Sequence, residues 1–281
     1  MKGTLIFKMF GVILAGWILM ESSCLLSLIL ERTSIRNFDK NRKVPEKILE
    51  NILLAGIRAP SAGNIQPRTF IVVNDETVKE RLYELCGNQP FMNDAPVWIV
   101  ICVDLHRHLK AAKLTGVEYD FTGVLPYTFG VLDAALSLEN MVIAAEAFGL
   151  GSVIIGSVIE HAEKAREILK LSKHCLALSI VCIGYPKAKP ERVEKWDYGV
   201  IVCENRYKDV SAENVSTYWK KRISSTLRRS GEEASEEAVE KLSKERTYGE
   251  AYSNHYTERF IKTANRKLME FITKQGFLKD V

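Results

Sequence analysis

Four clusters of polar residues in this chain have the chemistry to hold an anion or a flat polar ring. The first is Arg32, Thr33, Ser34 and Arg36, two guanidiniums and two hydroxyls in close succession. A guanidinium fork matches phosphate oxygens two at a time, so the cluster suits a phosphate or polar-ring clamp. A solvated basic turn explains the same spacing equally well. The second cluster is the loop Pro60 to Gln66, in which Ser61, Asn64 and Gln66 present hydrogen-bonding groups from a backbone punctuated by Pro and Gly. Taken alone it could be any surface loop. The third, Gly149 to Ser157, looks at first like a dinucleotide fingerprint, but its glycine spacing is wrong and it follows a helix instead of opening one. The fourth is basic: Lys187, Lys189, Arg192 and Lys195 follow Gly184-Tyr185-Pro186. By itself such a loop is usually solvated surface.

Other reactive residue types point to less. His106 and His108 follow an apolar strand at loop spacing, which favours surface positions over metal ligation. The six cysteines (Cys24, Cys86, Cys102, Cys175, Cys182, Cys203) form no Cys-x-x-Cys pair. Four of them sit in apolar runs as small buried residues. That is cysteine usage of a reducing compartment, so a cytoplasmic location is expected.

The elements that must position these clusters can be read from periodicity. Residues 24–31 form a short helix leading into the first cluster. Val44-Pro45-Glu46 opens a second helix with Pro at its first turn, and Ile48, Leu49, Ile52 and Leu53 give it an apolar stripe. It ends near Arg58, before the breaker run at 59–64. Thr69 to Val73 reads as a short strand. Val97 to Val103 is apolar without alternation, so both its faces should be covered. Leu132 to Phe148 is a long helix stopped by Gly149. A short strand at 153–155, a charged helix at 160–170 and a buried strand from Leu176 to Ile183 complete an α+β pattern with no βαβ repeat. Beyond Cys203, Glu232 to Arg246 is a charged helix. Thr257 to Gln275 is an amphipathic one, with Phe260, Ile261, Ala264, Leu268, Phe271 and Ile272 on one stripe.

The 281 residues, 47% of them hydrophobic, suffice for one large domain with an appendage. A formal charge of +4, from 39 basic and 35 acidic residues, does not call for a nucleic-acid or acidic-membrane partner. The apolar run from Leu5 to Met20 contains Lys8 and stops at Glu21, which makes it a poor membrane span. It reads as an extension ahead of a start at Met20, with a membrane anchor as the competing reading. The expected units are therefore residues 1–20, 21–203 and 204–281.

In this order, the four clusters resemble the nitroreductase family of flavoproteins. The family opens with a helix leading to an Arg-x-Ser-x-Arg/Lys-like segment, here Arg32-Thr33-Ser34-Ile35-Arg36. It continues with a Pro-Ser-x-x-Asn-x-Gln-Pro loop, here Pro60-Ser61-Ala62-Gly63-Asn64-Ile65-Gln66-Pro67, the most specific element. A Gly-Leu-Gly segment after a long helix and a Gly-Tyr-Pro strand end followed by basic residues complete the likeness, which spans about residues 24–203. Arg68, where many relatives have an aromatic residue, is a departure from the family pattern.

The resemblance implies a central, mostly antiparallel sheet flanked by helices, an interlocked homodimer with FMN at the subunit interface, and a C-terminal helical extension. It implies that Arg32, Thr33, Ser34 and Arg36 contact the flavin's phosphate, ribityl chain and pyrimidine edge, with Asn88 against the pyrimidine ring. Pro60, Ser61, Ala62 and Asn64 would reach the FMN of the partner subunit, and Lys195, with Arg192 beside it, would neutralise the phosphate. Ile154, Ile155, Gly156 and Ser157 match the segment along the central ring, where the Gly156 N–H would face the hydride-accepting nitrogen. NADH or NADPH would donate hydride in a ping-pong sequence to a nitroaromatic, quinone or similar acceptor, with the pocket shaped in part by the segment Tyr119 to Phe129. No catalytic acid, nucleophile or metal is expected, since the cofactor carries the chemistry. Dehalogenation, azoline oxidation and a non-catalytic, membrane-anchored binding protein are the alternatives.

Overall fold

The computed structural model describes residues 24–254 and 256–278; the expectations for residues 1–19 lie outside them. Four strands form one antiparallel sheet in the order β1-β2-β4-β3: β1 Arg68–Val72, β2 Val97–Asp104, β3 Gly151–Ile155 and β4 Cys175–Gly184. The central strand β2 is buried at every position, as its unbroken apolar run implies. Trp98, Val100 and Cys102 face one apolar cluster with Leu82, Met92 and Ile168. Val97, Ile99, Ile101 and Val103 face a second with Ile52, Met141 and Leu150. A register shift between Ile101 and Cys102 lets β4 keep both faces supplied.

Helices cover both faces. After α1 (residues 24–31) come α2 Glu46–Ile57, α3 Glu76–Leu85, α4 Phe91–Asp94 and α5 His106–Leu114. Next are α6 Val124–Ala147 and α7 Ala162–Leu169. The short α8 Tyr198–Ile201 precedes the extension, which supplies α9 Ala212–Ser230, α10 Glu236–Glu245, α11 Tyr248–Ser253 and α12 Glu258–Lys274. In α9 the ends are written locally: Ser211 and Asn214 form a capping box, and Gly231 stops the helix in the left-handed region. On the amphipathic α12, Phe271 and Ile272 are buried in the second cluster, while Phe260 and Ile261 stay exposed.

Two expectations need correction. The long helix begins at Val124, not Leu132. Pro126 and Gly130 look like breakers in the sequence, yet Pro126 falls in the first turn, where its missing N–H costs nothing. Tyr127 and Phe129 are therefore helical, and Tyr127 packs edge-on against Phe277 near the C-terminus. His106 and His108 lie on α5, not in a loop, and His108 contacts Tyr119 and Phe121. Pro45 opens α2 from its N-cap, one position before the first turn.

Candidate functional site

Three of the four polar clusters meet along one edge of the sheet. Ser34 forms a parallel bridge with Ser152 on β3, and the Ile35 N–H donates to the Ser152 carbonyl at 2.9 Å. This contact explains the second glycine of Gly149-Leu150-Gly151: a Cβ on Gly151 would overlap the Ile35 side chain. The same segment is then zipped to the end of β4. The Asp39 N–H donates to the Tyr185 carbonyl at 2.8 Å, and the Lys187 N–H to the Asn37 carbonyl at 3.0 Å. Residues far apart in sequence, 32–38, 151–157 and 184–187, are thus held in register by backbone bonds.

Asn88 joins this group through its neighbours. It ends the turn after α3 in a left-handed conformation (φ 53°), with its N–H on the Tyr83 carbonyl. The Ser157 hydroxyl reaches the Cys86 carbonyl at 3.5 Å. The Arg36 guanidinium lies 5.7 Å from the centre of the Phe91 ring, on the helix that follows. Gly156 sits just beyond β3, exposed, with open space where a side chain would stand. Ile154 is exposed beside it, whereas Ile155 is buried in the core.

The charges divide unequally. Thr33 is buried, Arg36 and Lys195 are exposed, and neither of these cations has an ion pair among the described residues. Arg32 is half-buried and lies with Lys189 in the field of Glu146, at the end of α6. Burial raises the Glu146 carboxyl above its usual range, and the two cations pull it back. Arg192 is committed elsewhere: its guanidinium donates to the Leu30 carbonyl at 3.0 Å and pairs with Glu31 at 2.9 Å, both on α1.

The second cluster, the loop 60–66, stands apart. Among the described residues, no hydrogen bond or ion pair joins the loop 60–66 to the other three. The loop closes on itself, with the Gln66 N–H donating to the Ser61 hydroxyl at 2.8 Å and the Gln66 amide turned toward Asn64. Gly63, Asn64 and Gln66 all adopt left-handed backbone. What holds this shape is a feature that motif reading passed over. Arg68 and Asp133, both buried, form an ion pair beneath the loop. An acid inside an apolar stretch of α6 is the signal that could have found it.

The Nitroreductase family model matches residues 29–90 and 85–185. The chain belongs to the nitroreductase family. This nitroreductase-family chain is 30% identical over 193 residues to the NADPH-flavin oxidoreductase of Vibrio harveyi, covering 69% of this chain and 78% of that protein. It is 28% identical over 255 residues to the oxygen-insensitive NADPH nitroreductase of Salmonella typhimurium, covering 90% of this chain and 97% of that one. A match of that length runs past residues 24–203 and into the extension. The structure of a hypothetical oxidoreductase from Bacillus subtilis superposes with a TM-score of 0.80 at 26% identity, covering 92% of this chain and 99% of that one.

Proposed function

We propose that the chain is an FMN-dependent oxidoreductase that takes hydride from NADH or NADPH and reduces nitroaromatic, quinone or similar small organic acceptors. The observation that carries this reading is the convergence of residues 32–36, 88 and 154–157 on one sheet edge, with Arg36, which has no ion pair among the described residues, and the open face of Gly156. That donor set fits a flavin mononucleotide: cations for a dianion, donors for a polar rim, and bare backbone beside a flat ring. When bound, FMN supplies the hydride chemistry, accepting from the nicotinamide and passing reducing equivalents to the acceptor in a ping-pong sequence.

The protein's own residues bind, orient and shield. Arg32 and Lys195 neutralise the phosphate, with Ser34 beside it, while Arg36 and Asn88 address the pyrimidine edge. Ile154 and Gly156 lie along the ring, and the Gly156 N–H serves as donor to its hydride-accepting position. Arg192 acts indirectly, by tying the basic segment to α1. No side chain is required to move a proton in the hydride step.

The working unit in this reading is a homodimer, with Pro60, Ser61, Ala62 and Asn64 contributed by the partner subunit. Two observations support it. The loop 60–66 is separate from the other three clusters within one chain. Large apolar side chains also stand exposed on helices next to it: Leu54 and Ile57 on α2, and Leu125, Leu132 and Leu136 on α6. The free state of all six cysteines supports a cytoplasmic location.

The test is flavin retention. Titrating the purified protein with FMN and following quenching of flavin fluorescence is expected to show tight binding. Arg32→Ala and Lys195→Ala are each expected to weaken it by at least about tenfold, the effect of losing one charge-assisted contact. A protein that binds no FMN overturns the reading; retention unchanged in both variants overturns the phosphate assignment.

A further inference from the structure

We propose that the buried Arg68–Asp133 pair is a positioning clamp that sets the shape of the flavin-facing loop for the partner subunit. The inference rests on the FMN reading above. Arg68 donates through one nitrogen to the carbonyls of Ile57 and Ala59, each at 2.9 Å. Its other terminal nitrogen reaches the Pro60 carbonyl at 3.0 Å and Asp133 Oδ2 at 3.4 Å. The second oxygen of Asp133 accepts from the Ala62 N–H at 3.3 Å. Residues 57, 59, 60 and 62 are therefore tied, through backbone atoms alone, to a single ion pair.

The chemistry of the pair suits this role better than a purely structural one. Two buried charges contribute little net stability compared with an apolar pair of similar volume. A guanidinium has five donors in a rigid fork, enough for three carbonyls and a carboxylate together; neither lysine nor an apolar residue can do this. The tied groups also lead directly into Asn64, a non-glycine residue whose left-handed backbone costs free energy and is kept by its surroundings. The approach of α6 is built for the contact. Gly130, one turn before Asp133, lets the helix close on β2, because a Cβ there would come within 2.5 Å of Val103 Cγ1.

The experiment compares wild type, Arg68→Met and the double variant Arg68→Met/Asp133→Leu. Each is measured for FMN dissociation constant, urea unfolding of the flavin-free protein and amide exchange across residues 57–64. In the clamp account, the double variant recovers the wild-type unfolding midpoint yet binds FMN at least about tenfold more weakly, and the Ala62 amide exchanges faster. Recovery of both midpoint and FMN affinity in the double variant overturns the clamp. Should the double variant fail to fold, Asp133→Asn decides: it keeps volume and one acceptor, and the clamp requires weaker FMN binding with faster exchange at 57–64. Wild-type levels of both in that variant overturn the proposal. A wild-type protein that binds no FMN refutes the functional reading instead, and the exchange data then test the clamp alone.

Discussion

Two segments that the functional reading brings to the same flavin are held in place by opposite physics. The loop 57–66 is fixed from below by a desolvated ion pair whose Arg68 and Asp133 side chains are 4% and 2% exposed. The arm 187–198 is fixed from outside by exposed pairs: Arg192 with Glu31, Arg228 with Glu191, and Lys221 with Asp197. One stacked contact adds to these, with the Trp196 and Tyr218 rings 4.1 Å apart. Buried pairs are costly to break and indifferent to salt, whereas exposed pairs are cheap to break and screened by it. The loop should therefore keep a permanent shape, while the arm adjusts to what it holds.

The largest effect expected is in the loop. Arg68→Met leaves a buried carboxylate without its partner and should cost about 3–5 kcal/mol of unfolding free energy, measured in urea at low and high salt with the same result. A loss below about 1 kcal/mol would place the pair with the surface bridges. Next comes the stack in the arm. Trp196→Ala should cost about 1 kcal/mol beyond lost burial and weaken FMN binding severalfold, leaving amide exchange at 57–66 unchanged. A loop that loosens with it would merge the two regions into one.

Smaller again is Arg192→Ala, expected to cost under about 1 kcal/mol. Amide exchange at 187–198 should already be faster in wild type at high salt, and the variant should lose the part of that dependence nearest Arg192 while the Glu191 and Asp197 pairs keep the rest. The smallest effect concerns Glu146. Its folded-state affinity for a proton is raised by burial. Its contribution to stability is therefore fully present below the ordinary carboxylate range and is lost as pH rises through the raised value. Glu146→Gln should flatten the pH dependence of unfolding across that window and tighten FMN binding above it, where the wild-type carboxylate opposes a phosphate beside Arg32. A pH profile identical to wild type would remove Glu146 from the phosphate environment.

The contrast also explains what could be read in advance. Clusters to which the functional reading gives a ligand were visible as clusters: Arg32 to Arg36, the Pro60-to-Gln66 loop and the glycines around Leu150. Strands β2 and β4 were legible because burial on both faces leaves an unbroken apolar run. The Asp133–Arg68 pair was not: Asp133 is one of three acids in α6, Arg68 stood out only as a departure from the family pattern, and only the packing of α6 on β1 joins them. The first turns of α6 were hidden by Pro126 and Gly130, whose positional meaning depends on where the helix starts. Helix α9 was missed for a related reason: its sparse buried positions turn away from the main core, Tyr218 to Trp196 and Tyr248, and Ile223 and Leu227 to Leu242 and Tyr252. Trp196, which anchors the arm to that cluster, shows no local signal at all.

The central claim is that this chain binds FMN and passes hydride through it. The most direct measurement is anaerobic addition of NADH or NADPH to the FMN-loaded protein, followed by an acceptor such as a quinone. The account predicts loss of the oxidised flavin's visible absorbance on adding at least one nicotinamide, and its return when the acceptor follows. A loaded protein that stays oxidised with both nicotinamides would contradict it.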